Sequence, residues 1–168
     1  MAGKVTDLIR QGIRTLQKFE DGILISLLLL MISVAVFQIV ARNIFDSGIR
    51  FGDELIRVLV LWISLMGAMV ASRNNSHVNI DLISRYLPRQ IQKMSMVLVG
   101  FFTSFICAVM SWFSYDFVMM EKLGGVIAFA GIPIWVCQSI IPVSFGIISF
   151  RYLLLSFTTL FDSFKQNI

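Results

Sequence analysis

GILISLLLLMISVAVFQIVA, Gly22 to Ala41, carries no charged side chain, and it decides which folds are open to this chain. Crossing a hydrocarbon core of about 30 Å takes roughly 20 helical residues, and this run has that length. Three further uncharged stretches follow: Val58 to Ser72, Met94 to Tyr115 and Ile132 to Phe150. The second is short for a span unless its helix begins near Asp53, with the charged start held in the headgroup region. Over the whole chain 57% of residues are hydrophobic and 14% charged, where a soluble domain carries about 25% charge. Water is therefore not the main solvent. The runs predict an all-α integral membrane protein, a four-transmembrane-helix bundle with an N-terminal amphipathic interfacial helix. A single membrane domain is expected over residues 1–168, with the interfacial helix at 1–19 and spans at about 22–41, 53–72, 92–115 and 132–155. The first span reads as a retained signal anchor, since no A-x-A cleavage site follows it.

Basic residues flanking spans stay on the cytoplasmic side. Lys4, Arg10, Arg14 and Lys18 precede the first span; Arg73, Arg85, Arg89 and Lys93 lie between the second and third; Arg151 and Lys165 follow the fourth. These segments hold ten of the fourteen basic residues. On the opposite connections Arg42, Arg50 and Arg57 are matched by Asp46, Asp53 and Glu54, and Lys122 by Asp116 and Glu121. Both termini are expected in the cytoplasm. The net charge of +4 is then explained by topology and contact with anionic lipid, not by nucleic-acid binding.

In the opening segment Val5, Leu8, Ile9, Ile13, Leu16 and Phe19 fall on one helical arc, with Arg10, Arg14 and Lys18 opposite. That pattern suits a helix lying in the cytoplasmic interface. Between the first two spans, Ser47, Gly48 and Gly52 mark a turn, and Asp53 or Glu54 opens the next helix, where acids complement the helix dipole. Arg57 is four residues from Asp53 and three from Glu54, so one turn can pair them. The second span sets Ser64, Ala68 and Ser72 four apart, with Gly67 and Ala71 beside them. Small residues in such a row let another helix approach closely. Trp112, Tyr115 and Trp135 are expected as outer aromatic anchors and Tyr86 and Tyr152 as inner ones. Pro142 removes a backbone hydrogen bond toward Gln138 and predicts a bend there.

Chemistry has little to stand on. Acidic residues or histidines deep in a span mark ion and substrate paths, and these spans carry none near their middle. Gln38 and Gln138 are the larger polar residues at depth and predict interhelical hydrogen bonds. His77 is the sole histidine, so bis-histidine haem ligation is excluded. Cys107 and Cys137 form no CxxC or metal spacing and read as small buried side chains. No catalytic, substrate, metal or cofactor site is expected, and no cofactor. The distinctive polar residues instead gather at two interfaces: Arg42, Asp53, Glu54 and Arg57 at the outer mouth of spans one and two, and Arg73, His77, Asn79 and Asp81 at the inner end of span two. Charge anchoring and pairing with a partner subunit both fit that distribution.

Arg42 and Phe45, followed by FGDELIRVLVLWISLMGAMVASRNNSHVNIDLISRYLP from Phe51 to Pro88, resemble the DctQ-like family, the small membrane subunit of tripartite ATP-independent periplasmic (TRAP) transporters. In that family a W-x-E-E-like stretch opens the second helix, a tryptophan sits in mid-helix, a Gly-Ala pair follows, and a loop of the form R-x-x-x-H with a later Asp comes next. Asp53 and Glu54, Trp62, Gly67 and Ala68, then Arg73, His77 and Asp81 match those positions, while Phe51 stands where a tryptophan is common. The resemblance implies a secondary transporter of three parts: a periplasmic substrate-binding protein, a large membrane transport subunit holding the substrate and sodium sites, and this small subunit in the bacterial inner membrane. It implies uptake of an organic acid of the dicarboxylate or sialic acid class, driven by an ion gradient, with the candidate residues named above, Ser64 and Ala71 included, as partner-interface positions. A self-contained four-span transporter acting as a homodimer is the rival; such proteins generally need an intramembrane acid to couple protons.

Overall fold

A computed structural model of the chain describes residues 2–45, 51–74 and 89–165. In chain order the elements are α1 (Ala2–Phe45), α2 (Gly52–Asn74), α3 (Arg89–Gly124), the short strands β1 (Ile127–Phe129) and β2 (Ile132–Pro133), α4 (Ile134–Gln138) and α5 (Ile140–Lys165). Among the described residues four segments are long and apolar enough to cross a membrane: Thr15–Ile44, Gly52–Arg73, Met94–Gly124 and Ile134–Leu160. The chain is thus an all-α membrane protein with four spans, as its uncharged runs require. It divides into two compact units, Met1–Val70 and Ala71–Ile168.

The first unit holds α1 and most of α2. α1 is one unbroken helix of 44 residues, so the segment expected to lie in the interface runs into the first span without a break in the backbone. Leu16 and Phe19, from its apolar arc, are exposed; the side chains of Val5, Leu8, Ile9 and Ile13 lie outside the described residues. α2 begins at Gly52, with the Leu55 N–H donating to the Phe51 carbonyl at 3.0 Å. Starting there gives the second span the extra turn that Val58 to Ser72 lacks.

The second unit is held by α3 and α5, which run antiparallel with small residues between them. The Ser104 hydroxyl donates to the Ser149 carbonyl at 2.9 Å, and the Ser149 hydroxyl returns a bond to the Ser104 carbonyl at 2.8 Å. Ser111 Oγ donates to the Pro142 carbonyl at 2.9 Å. A Cβ on Gly100 would collide with Ser156 Oγ, and one on Gly146 would come within 3.4 Å of Ser111 Oγ. Phe101 and Phe157 meet edge to face at 5.7 Å. In lipid there is no hydrophobic force between helices, so close packing of small residues and hydrogen bonds of about 0.6 kcal/mol each hold such a pair. Ser104 and Ser149 are both buried, as the reciprocal bonding demands.

Two features of this unit differ from the sequence expectation. α3 does not end near Tyr115 but continues through Asp116 and Glu121 to Gly124; a charge marks a membrane boundary and does not break a helix. The helix closes where Gly125 takes φ +63°, a left-handed conformation that glycine adopts at little cost. The connection between the third and fourth spans then forms a β-hairpin. Ile127 pairs with Pro133 and Phe129 with Ile132, across a two-residue turn in which Ala130 and Gly131 have φ of 49° and 82°. Two successive positive φ values are the signature of a type I′ turn. The fourth span is interrupted between α4 and α5 at Ser139, where the backbone N–H and the hydroxyl both bond to the Val136 carbonyl, at 3.3 and 2.7 Å. Pro142 offers no N–H to the Gln138 carbonyl, so the expected disturbance falls at Gln138.

Candidate functional site

Of the polar residues expected at the outer mouth of the first two spans, Arg42 and Asp53 come together where α1 ends and α2 begins, joined by Gln38. Gln38, one helical turn before Arg42, is only 7% exposed. Its Nε2 donates to Asp53 Oδ1 at 3.5 Å. Gly52 lies against the same amide so closely that a Cβ there would collide with it; glycine is what allows the start of α2 to approach α1 at this point. Arg42 Nη2 stands 3.9 Å from Asp53 Oδ2, with the two side chains 72% and 62% exposed. An exposed pair of this kind contributes about 1 kcal/mol or less, so its significance is presentation: a buried amide fixes a carboxylate beside a guanidinium at the mouth of the helix pair. Below them an open groove of about 570 Å³ is lined by Ala35, Ile39 and Ile56 as well as Gln38, Arg42, Asn43 and Asp53.

The pairing within one turn does not form. Among the described residues Asp53 pairs with Arg42 across the two helices, not with Arg57 along α2, because Gln38 already draws the carboxylate toward α1. Glu54 and Arg57 are exposed on the first turns of α2. Further along, Ser64, Ala68 and Ala71 are exposed and a Cβ on Gly67 would meet nothing within 4 Å. A second small-residue row, Gly100, Ser104 and Ser111 of α3, which the sequence did not single out, packs against α5. Trp62 and Arg73 are half-buried. His77, Asn79 and Asp81 lie outside the described residues, so the inner cluster is represented by Arg73 alone. Gln138 departs from expectation as well: its Oε1 is buried with no hydrogen-bond partner. Among the described residues no three His, Cys, Asp or Glu side chains stand close enough to hold a metal ion.

The described residues thus present exposed small side chains on α2 and an exposed Arg42–Asp53 pair, while Ser104, Ser111 and Ser149 bond between α3 and α5. Comparison with known proteins gives this arrangement a context. Residues 31–162 match the family model for the DctQ component of tripartite ATP-independent periplasmic transporters. The ectoine TRAP transporter small permease protein TeaB of Halomonas elongata is 26% identical over 82% of this chain and 72% of its own length. The isethionate TRAP transporter permease protein DctMQ of Oleidesulfovibrio alaskensis is 28% identical over 80% of this chain but only 22% of that longer protein. The sialic acid TRAP transporter small permease protein SiaQ of Vibrio cholerae is 29% identical over 51% of this chain and 49% of its own.

Proposed function

We propose a docking and scaffolding role for this chain, which belongs to the DctQ component family of tripartite ATP-independent periplasmic transporters. That family is one of transporter components and not of enzymes. As the small permease subunit, the chain holds a large membrane transport subunit at fixed depth and tilt while that subunit carries an organic acid across the bacterial inner membrane. A periplasmic binding protein delivers the cargo and an ion gradient, such as sodium, drives the step. Both termini lie in the cytoplasm, with the Arg42 and Asp53 mouth facing the periplasm and the N-terminal part of α1 leading from the inner interface into the first span as one helix.

The observation that carries the proposal is the family match over residues 31–162. The use of the polar side chains supports it. Ser104, Ser111 and Ser149 bond between α3 and α5, and Gln38 bonds Asp53, so these groups serve helix pairing. The open row Ser64, Gly67, Ala68 and Ala71 suits the close approach of a partner helix. Arg42, Asp53, Glu54 and Arg57 offer both signs of charge at the rim, where electrostatic complementarity sets register and on-rate more than affinity. The transported substrate is set by the other subunits; relatives that handle ectoine, isethionate and sialic acid agree with a small subunit that does not read the cargo.

Uptake in cells lacking the native chain tests this. Complementation by the Arg42→Ala, Asp53→Ala variant, or by Glu54→Ala, Arg57→Ala, is expected to fall while the affinity of the isolated binding protein for its cargo is unchanged. Full uptake with both variants at native membrane levels would remove the rim from the docking account.

A further inference from the structure

We infer that the hairpin joining α3 to α4, residues 125–133, is a lipid-facing surface set into the headgroup layer at the C-terminal end of α3, with Lys122 and Trp135 as its anchor. No charged residue lies between Lys122 and Arg151, so this connection has none of the charges that keep an interhelical loop in water. The large side chains it turns outward are apolar: Ile127 is 64% exposed, Val126 and Ile132 are exposed too, and Leu123, beside it at the end of α3, is 89% exposed. A free soluble surface seldom gathers such residues without a partner. Here the adjoining surfaces are already membrane-spanning, Met94–Gly124 on one side and Ile134–Leu160 on the other. Only the hairpin separates them, and a strand of about four residues at roughly 3.3 Å each reaches little more than 13 Å. The hairpin cannot leave the neighbourhood of the bilayer.

Depth is bounded from both sides. The span Met94–Gly124 has 31 residues, which at 1.5 Å per residue is about 46 Å, close to the 40–45 Å of a bilayer with its headgroup regions. That length lets Gly124 reach the headgroup layer when Met94 starts at the opposite one. Deeper insertion is opposed by the outer edges of a two-stranded hairpin, whose backbone groups hydrocarbon cannot satisfy, and by Asp116, exposed two turns below. The anchor has matching chemistry. Lys122 Nζ lies 5.3 Å from the centre of the Trp135 ring, joining the end of α3 to the start of α4. Tryptophan favours the headgroup level, and an ammonium on its face is available to a lipid phosphate.

The test uses the full chain with Cys107→Ala and Cys137→Ser, reconstituted in vesicles of phosphatidylethanolamine and phosphatidylglycerol. A bimane fluorophore is attached at Ile127→Cys, at Ile132→Cys or, as a mid-span reference, at Met110→Cys. Fluorescence is quenched by lipids bearing a nitroxide in the headgroup, high on the acyl chain or near its end, and separately by aqueous iodide. Positions 127 and 132 are expected to be quenched most by the two shallow nitroxides, and position 110 by the deep one. Strong iodide quenching without lipid quenching at 127 and 132 would overturn the inference in favour of a water-exposed loop. Protection from every quencher at those positions would overturn it in favour of a protein cover.

Discussion

Gly52, Gly67 and Gly100 look alike in the sequence and do different work. At Gly100 an added side chain would collide with Ser156 Oγ, a hydroxyl held in place by its bond to the Tyr152 carbonyl. Gly100→Val is therefore expected to cost about 1–3 kcal/mol, the usual range for overpacking, read as a lower melting temperature in detergent. At Gly67 a side chain meets open space. Gly67→Val is expected to leave the melting temperature of the isolated chain unchanged and to weaken copurification with the large subunit. Equal melting losses in both variants would remove the distinction between a packed row and an open one. Gly52 is intermediate, because its neighbour is the far end of the Gln38 side chain and not backbone. Gly52→Ala should displace that amide from Asp53 and lower uptake while barely changing stability. The reciprocal bonds of Ser104 and Ser149 allow a further measurement: the double alanine variant is expected to lose about 1–2 kcal/mol, at roughly 0.6 kcal/mol or somewhat more per bond.

At the scale of elements, four uncharged runs are enough to give four spans, because a bilayer imposes length and apolarity on any helix that crosses it. The start of α2 at Gly52 and the disturbance near Gln138 were legible for local reasons: acids that suit a helix N-terminus, and a proline with no N–H. What was not legible depended on pairing. The row Gly100, Ser104 and Ser111 is no less visible than the row on α2, yet which of the two packs is decided by its complement, here Pro142, Gly146 and Ser149 of α5. The hairpin escaped notice because its residues are apolar and the polar turn signals are missing, although Gly124-Gly125 and Ala130-Gly131 were there to mark a helix end and a tight turn. In the candidate site the residues were legible but their partners were not. Arg57 is the nearer partner of Asp53 in sequence, while Arg42 is the one the fold brings to it, through the buried Gln38. Charge reversal follows from this: Arg42→Asp with Asp53→Arg should restore part of the uptake lost in either single variant, and the same exchange between Asp53 and Arg57 should not.

Among the described residues the hydroxyls of Ser104, Ser111 and Ser149 bond between helices, and those of Ser26, Ser33, Ser144 and Thr159 bond to carbonyls of their own helix. In the proposed role the transport chemistry lies in a partner, which locates the central claim in an association. The most direct measurement is recovery of the tagged chain from native membranes in mild detergent, with copurifying proteins identified by mass and their ratio determined. A single large multi-span protein in equal amount is the expected result, with its share reduced by Gly67→Val and by the Arg42→Ala, Asp53→Ala variant. Recovery of the chain alone as a stable homodimer that sustains uptake would contradict the account.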